Sequence, residues 1–207
     1  MTDEHGNRAA TGRADGPVEQ VVLLDEDGHR TGTQDKATVH HDATPLHLAF
    51  SCYLFDGDGR VLVTRRALHK RTWPGVWTNS CCGHPAPDEP LTTAVHRRVR
   101  QELGVDIEGL RLLLPGFRYR AVLHGVVEHE MCPVFVARPS GRLRPAPEEV
   151  AEAVWEPWAT FRESVLDGSR GISPWCREQV AALPADPLYA PAASPDGLPA
   201  AARLDDD

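Results

Sequence analysis

Two adjacent cysteines stand directly before Gly-His-Pro in WPGVWTNSCCGHP, residues 73–85. A disulfide, a zinc site, a catalytic thiol or a plain turn would each give such a stretch. Cys81-Cys82 lacks the two-residue spacer of a structural zinc pair, which weakens the zinc reading. A second candidate is VVEHEMCPVF, residues 126–135. Glu128 and Glu130 lie two apart, so on a strand both carboxylates point to one face. There they repel unless water, a proton or a cation sits between them. The apolar neighbours Val126, Val127, Val134 and Phe135 favour a core strand over a solvated one. TVHHDATPLHLAF, residues 38–50, adds His40 and His47, and His84 follows the cysteines. A lone histidine is more often a surface or satisfied core residue than a ligand. Three of them with two carboxylates would suit an octahedral site for Mn²⁺, Mg²⁺ or Zn²⁺. Spacing alone leaves their convergence open. The fourth candidate is TRRALHKRTWPG, residues 64–75, where Arg65, Arg66, Lys70 and Arg71 cluster. A solvated loop would explain them; beside a metal they would clamp a diphosphate.

The chain that must position these groups has 207 residues, 41% of them hydrophobic, and a formal charge of −8. That suits one domain with tails. Residues 1–19 hold four acids against two bases, and residues 184–207 five against one, so most of the acidity lies in the tails. A cationic pocket in the middle is compatible with the total. An acidic chain without a basic tail or finger spacing is not expected to bind nucleic acid. No apolar run of about 18 residues suggests a membrane span, and the N-terminus lacks the apolar segment of a signal peptide. Five cysteines at uneven spacing argue against a secreted disulfide framework. The expectation is a cytoplasmic protein with reduced thiols.

Residues 1–18 and the proline-rich residues 184–207 read as disordered tails, leaving a domain over residues 19–183. Within it, EQVVLLDEDG predicts a short strand. LHLAFSCYLFDGDGRVLVTRR predicts a hairpin around Asp56-Gly57-Asp58-Gly59. EPLTTAVHRRVRQELGV has helical spacing at Leu91, Ala94, Val95, Val99 and Leu103, and Gly104 to stop it. Further strands are expected through LRLLLPGFRYRAVLHGVVEHEMCPVFVAR, with a His124-Gly125 turn, and through EVAEAVWEPW. Two short helices follow, the second with Ser173 as N-cap and Pro174 at its first position. The order predicts a mixed α/β or α+β domain, with helices sandwiching one sheet.

Residues 83–105, GHPAPDEPLTTAVHRRVRQELGV, carry the outline of the Nudix signature in Gly83, Glu89, Arg97, Glu102, Gly104 and Val105. Arg98 and Gln101 stand where two glutamates are usual, so a diphosphate hydrolase would lack two metal carboxylates. Together with TGTQDKATVHHDATPLHLAFSCYLF, LVTRRALHKRTWPGVWTNSCCGHP, FRYRA, VVEHEMCPVF and SPW, these residues resemble the type I isopentenyl-diphosphate Δ-isomerases, a diverged branch of the Nudix fold. The resemblance covers about residues 20–180.

The resemblance implies a single Nudix-like domain and reversible isomerisation of isopentenyl to dimethylallyl diphosphate in isoprenoid synthesis. It implies Cys82 and Glu130 as the proton-transfer pair, with Tyr119 and Trp175 against the reacting carbons. The metal ligands become His40, His47, His84, Glu128 and Glu130. Glu102 would meet a Mg²⁺ carried by the diphosphate, and Lys36, Arg66, Lys70 and Arg98 would bind the diphosphate itself. A small diphosphate would be the partner, and the chain a monomer or weak homodimer. The alternatives are a Nudix diphosphate hydrolase and an inactive diphosphate-binding module.

Overall fold

The structure is a computed structural model that describes residues 19–205. The expected tail over residues 1–18 lies outside the described residues. Among the described residues, twelve strands form three hydrogen-bonded sheets, where one sheet was expected. The first, in the order β2-β1-β3-β10-β9, joins Arg30–Asp35 (β2), Gln20–Leu24 (β1), His47–Leu48 (β3), Val126–Met131 (β10) and Arg118–Leu123 (β9). The second, β7-β4-β11-β8, joins Cys81–Gly83 (β7), Phe50–Leu54 (β4), Val134–Pro139 (β11) and Ile107–Leu114 (β8). The third, β12-β5-β6, joins Val150–Pro157 (β12), Arg60–Arg66 (β5) and Trp77–Thr78 (β6).

Two parallel strand pairs pass from the first sheet to the second. His47 pairs with Glu130 in β3–β10, and Ser51 with Val134 in β4–β11. The interruption falls at Ala49 and at Cys132-Pro133. Ala49 N–H donates to the Met131 carbonyl at 2.9 Å, and Ser51 N–H to the Pro133 carbonyl at 3.0 Å. Pro133 has no N–H to continue a ladder. Side chains on either side of the break face one hollow.

β4 is buried at every position and divides its side chains between two cores. Phe50, Cys52 and Leu54 pack towards α2, Leu91–Leu103, with Leu91, Ala94, Val95 and Val99. Tyr53 and Phe55 pack towards α3, Trp158–Leu166, and α4, Pro174–Ala182, with Trp158, Phe161, Cys176 and Val180. The period of two thus sandwiches the second sheet between helices. The turn at Asp56–Gly59 forms, with Asp56 Oδ1 accepting from the Asp58 and Arg60 amides. The expected hairpin does not: β4 and β5 belong to different sheets, and among the described residues the arms pair by backbone bridge only at Phe55–Val61. β4 pairs instead with β7 and β11, and β5 with β6 and β12. The His124-Gly125 turn, with φ of 49° and 81°, has the two positive values of a tight hairpin and joins β9 to β10.

Residues 184–205 depart from the expected disorder and run along the domain. Leu188 is buried in one core, and Leu198, Ala202 and Leu204 pack on the other. Backbone bonds tie Ala193 to Leu112, Ala201 to Gly28 and Arg203 to Leu91. Its prolines restrict the unfolded chain, so docking the segment costs less chain entropy. Its isolated apolar residues have no helix or strand period, which hid the docking.

Candidate active site

β7 resolves the paired cysteines. Alternation turns Cys81 into the α2 core, its Sγ 3.5 Å from Glu102 Oε2. Cys82, opposite Ser51, faces the hollow at the sheet junction. The Cys82 thiol donates to Asn79 Oδ1 at 3.1 Å, and Ser51 Oγ lies 3.3 Å from its sulfur. Asn79 Nδ2 donates to the Cys52 and Cys81 carbonyls, which fixes its oxygen towards the thiol. Burial pushes the Cys82 thiol up to about 11, so it is protonated at neutral pH.

β10 places Glu128 and Glu130 on one buried face. His40, just after α1 (Lys36–Val39), puts Nε2 3.1 Å from Glu128 Oε2. His47 Nε2 lies 3.4 Å from Glu130 Oε1 and 3.2 Å from His84 Nε2, and His84 Nε2 lies 3.0 Å from the same Glu130 oxygen. The Tyr119 hydroxyl donates to Glu130 Oε2 at 2.9 Å across the β9–β10 pair. Burial works against Glu130 ionising, but the His47 and His84 contacts outweigh it and hold its carboxyl well below the usual range. Burial raises Glu128 and pushes His84 down to about 3. A desolvated imidazole of that kind stays neutral and offers a lone pair.

The donor set fits a divalent cation. His47 Nδ1 lies 2.9 Å from the Pro45 carbonyl, which can only accept, so Nδ1 carries a proton and Nε2 is the atom turned to His84 and Glu130. His84 Nδ1 is buried without a hydrogen-bond partner, and His40 Nε2 meets only the Glu128 carboxylate. One ligand atom from each of His40, His47, His84 and Glu130 falls within 4.8 Å of the others. Imidazole and carboxylate together are a divalent-metal set.

The outer part of the same cavity is cationic. The cavity measures about 220 Å³, and Lys36, Arg66, Lys70, Arg71 and Arg98 line it with Glu102, Tyr119 and Trp175. Arg98 and Glu102 sit on the buried stripe of α2, among residues the helix would otherwise keep apolar. They pair with each other, and Cβ at Gly83 would lie 2.7 Å from Arg98 Cγ, so only glycine admits that approach. The Arg66 guanidinium donates to the Thr72 carbonyl at 3.0 Å and the Trp73 carbonyl at 3.2 Å, fixing the loop after β5. Trp175, at the start of α4, is 2% exposed, and its ring centroid lies 5.5 Å from Tyr119 and 5.1 Å from Trp73. Ser173 accepts from the Cys176 amide and so sets that helix start.

The candidate residues from the sequence line this cavity, apart from the fully buried His47, which touches it through His84, and Arg65, which pairs with Glu152 instead. Four further residues did not stand out in the sequence: Asn79, Ser51, Gln179 and Glu149. Gln179 Nε2 donates to Ser51 Oγ at 2.9 Å, and the Tyr53 hydroxyl donates to Gln179 Oε1 at 2.9 Å. Ser51 left a signal, as a polar residue inside the apolar run AFSCYLF. Gln179 and Glu149 left none, being ordinary helix and loop residues until packed. Among the described residues, no helix is long and apolar enough to cross a membrane.

Residues 45–176 match the NUDIX domain family. The chain is 57% identical over 191 residues to an isopentenyl-diphosphate Delta-isomerase of Saccharopolyspora erythraea, covering 90% of this chain and 98% of that one. It is 62% identical over 169 residues to the enzyme of the same name from Mycolicibacterium vanbaalenii, covering 81% and 93%. Among solved structures, a Deinococcus radiodurans protein superposes with a TM-score of 0.62 at 16% identity, over 79% of this chain and 98% of that one. A MutT NUDIX hydrolase of Burkholderia pseudomallei gives 0.51 at 22% identity, over 66% and 96%. These last two speak to the fold alone. The chain belongs to the Nudix superfamily and, within it, to the isopentenyl-diphosphate Delta-isomerases.

Proposed function

We propose that this protein moves the double bond of isopentenyl diphosphate to give dimethylallyl diphosphate, reversibly and without cleaving the diphosphate. The observation that carries the reading is one cavity holding a protonated thiol, Cys82, and an ionised carboxylate, Glu130. The signature helix beside them has Arg98 and Gln101 in place of two glutamates. Adding a proton to the terminal alkene carbon and removing one from the allylic carbon needs an acid and a base together. Cys82 and Glu130 fill those roles and exchange them in the reverse direction. Tyr119, bonded to Glu130, orients that carboxylate and can pass its proton.

An alkene is a very weak base, so its protonation needs a site closed to water. The intermediate is a tertiary carbocation, which no hydrogen bond can hold. An aromatic face can, at about 2 kcal/mol or more when desolvated. Trp175, buried beside Tyr119, supplies that face. Lys36, Arg66, Lys70 and Arg98 also line the cavity and would face the diphosphate. A divalent ion, Mn²⁺, Mg²⁺ or Zn²⁺, held by His40, His47, His84, Glu128 and Glu130 would fix the charge and orientation of Glu130. Glu102 would meet a Mg²⁺ that arrives with the diphosphate.

The test is proton and phosphorus NMR of the reduced, metal-supplied protein with isopentenyl diphosphate in D₂O. Growth of allylic methyl signals, deuterium uptake and an intact diphosphate are expected. Release of phosphate without new methyl signals would overturn the reading in favour of a hydrolase.

A further inference from the structure

We propose that Glu149 is a positioning residue that presents Lys70 and Arg98 to the substrate's diphosphate. This rests on the function proposed above. Glu149 sits in the turn before β12, outside the signature helix and the metal-ligand set. Its Oε2 accepts from the Lys70 ammonium, and its Oε1 lies 3.5 Å from Arg98 Nη2. One carboxylate therefore spans two cations that come from different elements, the loop after β5 and the middle of α2.

The backbone makes the span rigid. The Ala67 amide donates to the Glu149 carbonyl at 3.0 Å, and the Lys70 amide to the Ala67 carbonyl at 3.2 Å. Residue 149 thus holds the 67–70 turn by its main chain at one end and its side chain at the other. On the opposite side, the Ala146 amide donates to the Glu102 carbonyl and the Glu149 amide to the Ala146 carbonyl, both at 2.9 Å. The turn that carries Glu149 is thereby fastened to the last turn of α2. Burial opposes its charge, yet Lys70 and then Arg98 outweigh that and hold its carboxyl below the usual value.

Lys70 has a flexible stem with several rotatable bonds, and among the described residues Glu149 is its only side-chain partner. Without that partner the ammonium would sample many rotamers, and binding a diphosphate would have to order it. Arg98 keeps Glu102 and the Gln101 side-chain Oε1, so it depends on Glu149 less.

The experiment is calorimetric binding of inorganic pyrophosphate in excess Mg²⁺ to wild type and to Glu149→Gln, Glu149→Ala and Glu149→Asp, beside steady-state kinetics with isopentenyl diphosphate. Gln and Ala should weaken pyrophosphate binding and raise KM roughly tenfold, with kcat within about threefold. Asp keeps the charge and should recover part of the loss. In the Lys70→Ala background, Glu149→Gln should cost much less than alone. Pyrophosphate affinity and KM unchanged in folded Glu149→Gln would overturn the proposal and leave a merely structural ion pair. Tighter binding would overturn it too, by showing that Glu149 competes with the ligand. If wild type binds pyrophosphate in a Glu149-dependent way but isomerises nothing, the positioning role stands and the proposed reaction falls.

Discussion

The inner and outer ends of the cavity are built by different means. His47, Glu130, Tyr119 and Cys82 sit on strands whose register fixes them against one another, His47 opposite Glu130 and Glu130 opposite Tyr119. His47, Glu130 and Tyr119 are almost fully enclosed and Cys82 is partly so; burial raises the Cys82 thiol, while the histidine contacts hold the Glu130 carboxyl down. Lys36, Arg66 and Lys70 come instead from a one-turn helix, a strand end and a loop, and their side chains are only partly covered. Sheet ladders place atoms within fractions of an ångström, which proton transfer requires. Long cationic side chains tolerate looser placement, because a diphosphate can be met from many directions. This division predicts that the inner groups govern the chemical step and the outer groups govern binding.

The largest expected effect lies at the inner end. Cys82→Ala and Glu130→Gln should each lower kcat by about 10³-fold, near the middle of what general acid–base catalysis contributes, and leave KM within a few-fold. Steady-state kinetics with parallel metal analysis checks this. A rise in KM at constant kcat would break the division. His84→Ala should come next, with metal retention falling at least about tenfold as a buried imidazole ligand is removed. Metal content after dialysis measures it.

The outer end should respond oppositely. Arg66→Ala or Lys70→Ala should raise KM by about 10- to 100-fold, the equivalent of one or two charge-assisted hydrogen bonds. Their kcat should change by less than about threefold. A thiol probe sharpens the contrast without turnover. A cysteine raised to about 11 is the neutral form below that pH, with a thiolate fraction of roughly 10⁻³ at pH 8. Alkylation of Cys82 in the folded protein should therefore be slow near neutrality and accelerate as pH rises. Fast alkylation at pH 7 would show a thiolate, and would reverse its assignment as the initial acid.

The inner end was also the more legible in sequence. Glu128 and Glu130 sharing a face follows from a two-residue period, whereas Cys82 and His84 were singled out by the resemblance to the isomerase family. The helix of the signature was visible from Leu91, Val95 and Val99, and Gly104 ends it with a φ of 62°. What stayed hidden were contacts between segments far apart in sequence. Glu149 meets Lys70 across 79 residues, and Gln179 meets Ser51 across 128. No period or local motif encodes such a meeting. The missed β4–β5 separation has the same origin, since turn chemistry at Asp56–Gly59 reports the turn and not the sheet that each arm joins. The C-terminal segment was misread because composition weighs prolines heavily and counts single docking leucines lightly.

That segment supplies the smallest test. α2 begins after Pro90, which has no side-chain acceptor for the helix's first amides. The chain returns more than a hundred residues later to provide one. The Leu91 amide donates to the Arg203 carbonyl at 2.7 Å, and the Asp205 carboxylate accepts from the Thr92 and Thr93 hydroxyls. A negative charge there also opposes the positive end of the helix dipole. Asp205→Ala should cost about 0.5–1 kcal/mol, lowering Tm by about 1–4 °C for a chain of this length. Arg98 and Glu102 lie about two to three turns further along α2, anchored by their own pair and by the Ala146–Glu102 backbone bond. Fraying of the first turn should not reach them, so kcat and KM should both hold within about twofold while Tm falls. If KM rose with the loss of Tm, α2 would be moving as one rigid rod, and the outer end of the cavity would depend on its far terminus as strictly as the inner end depends on strand register.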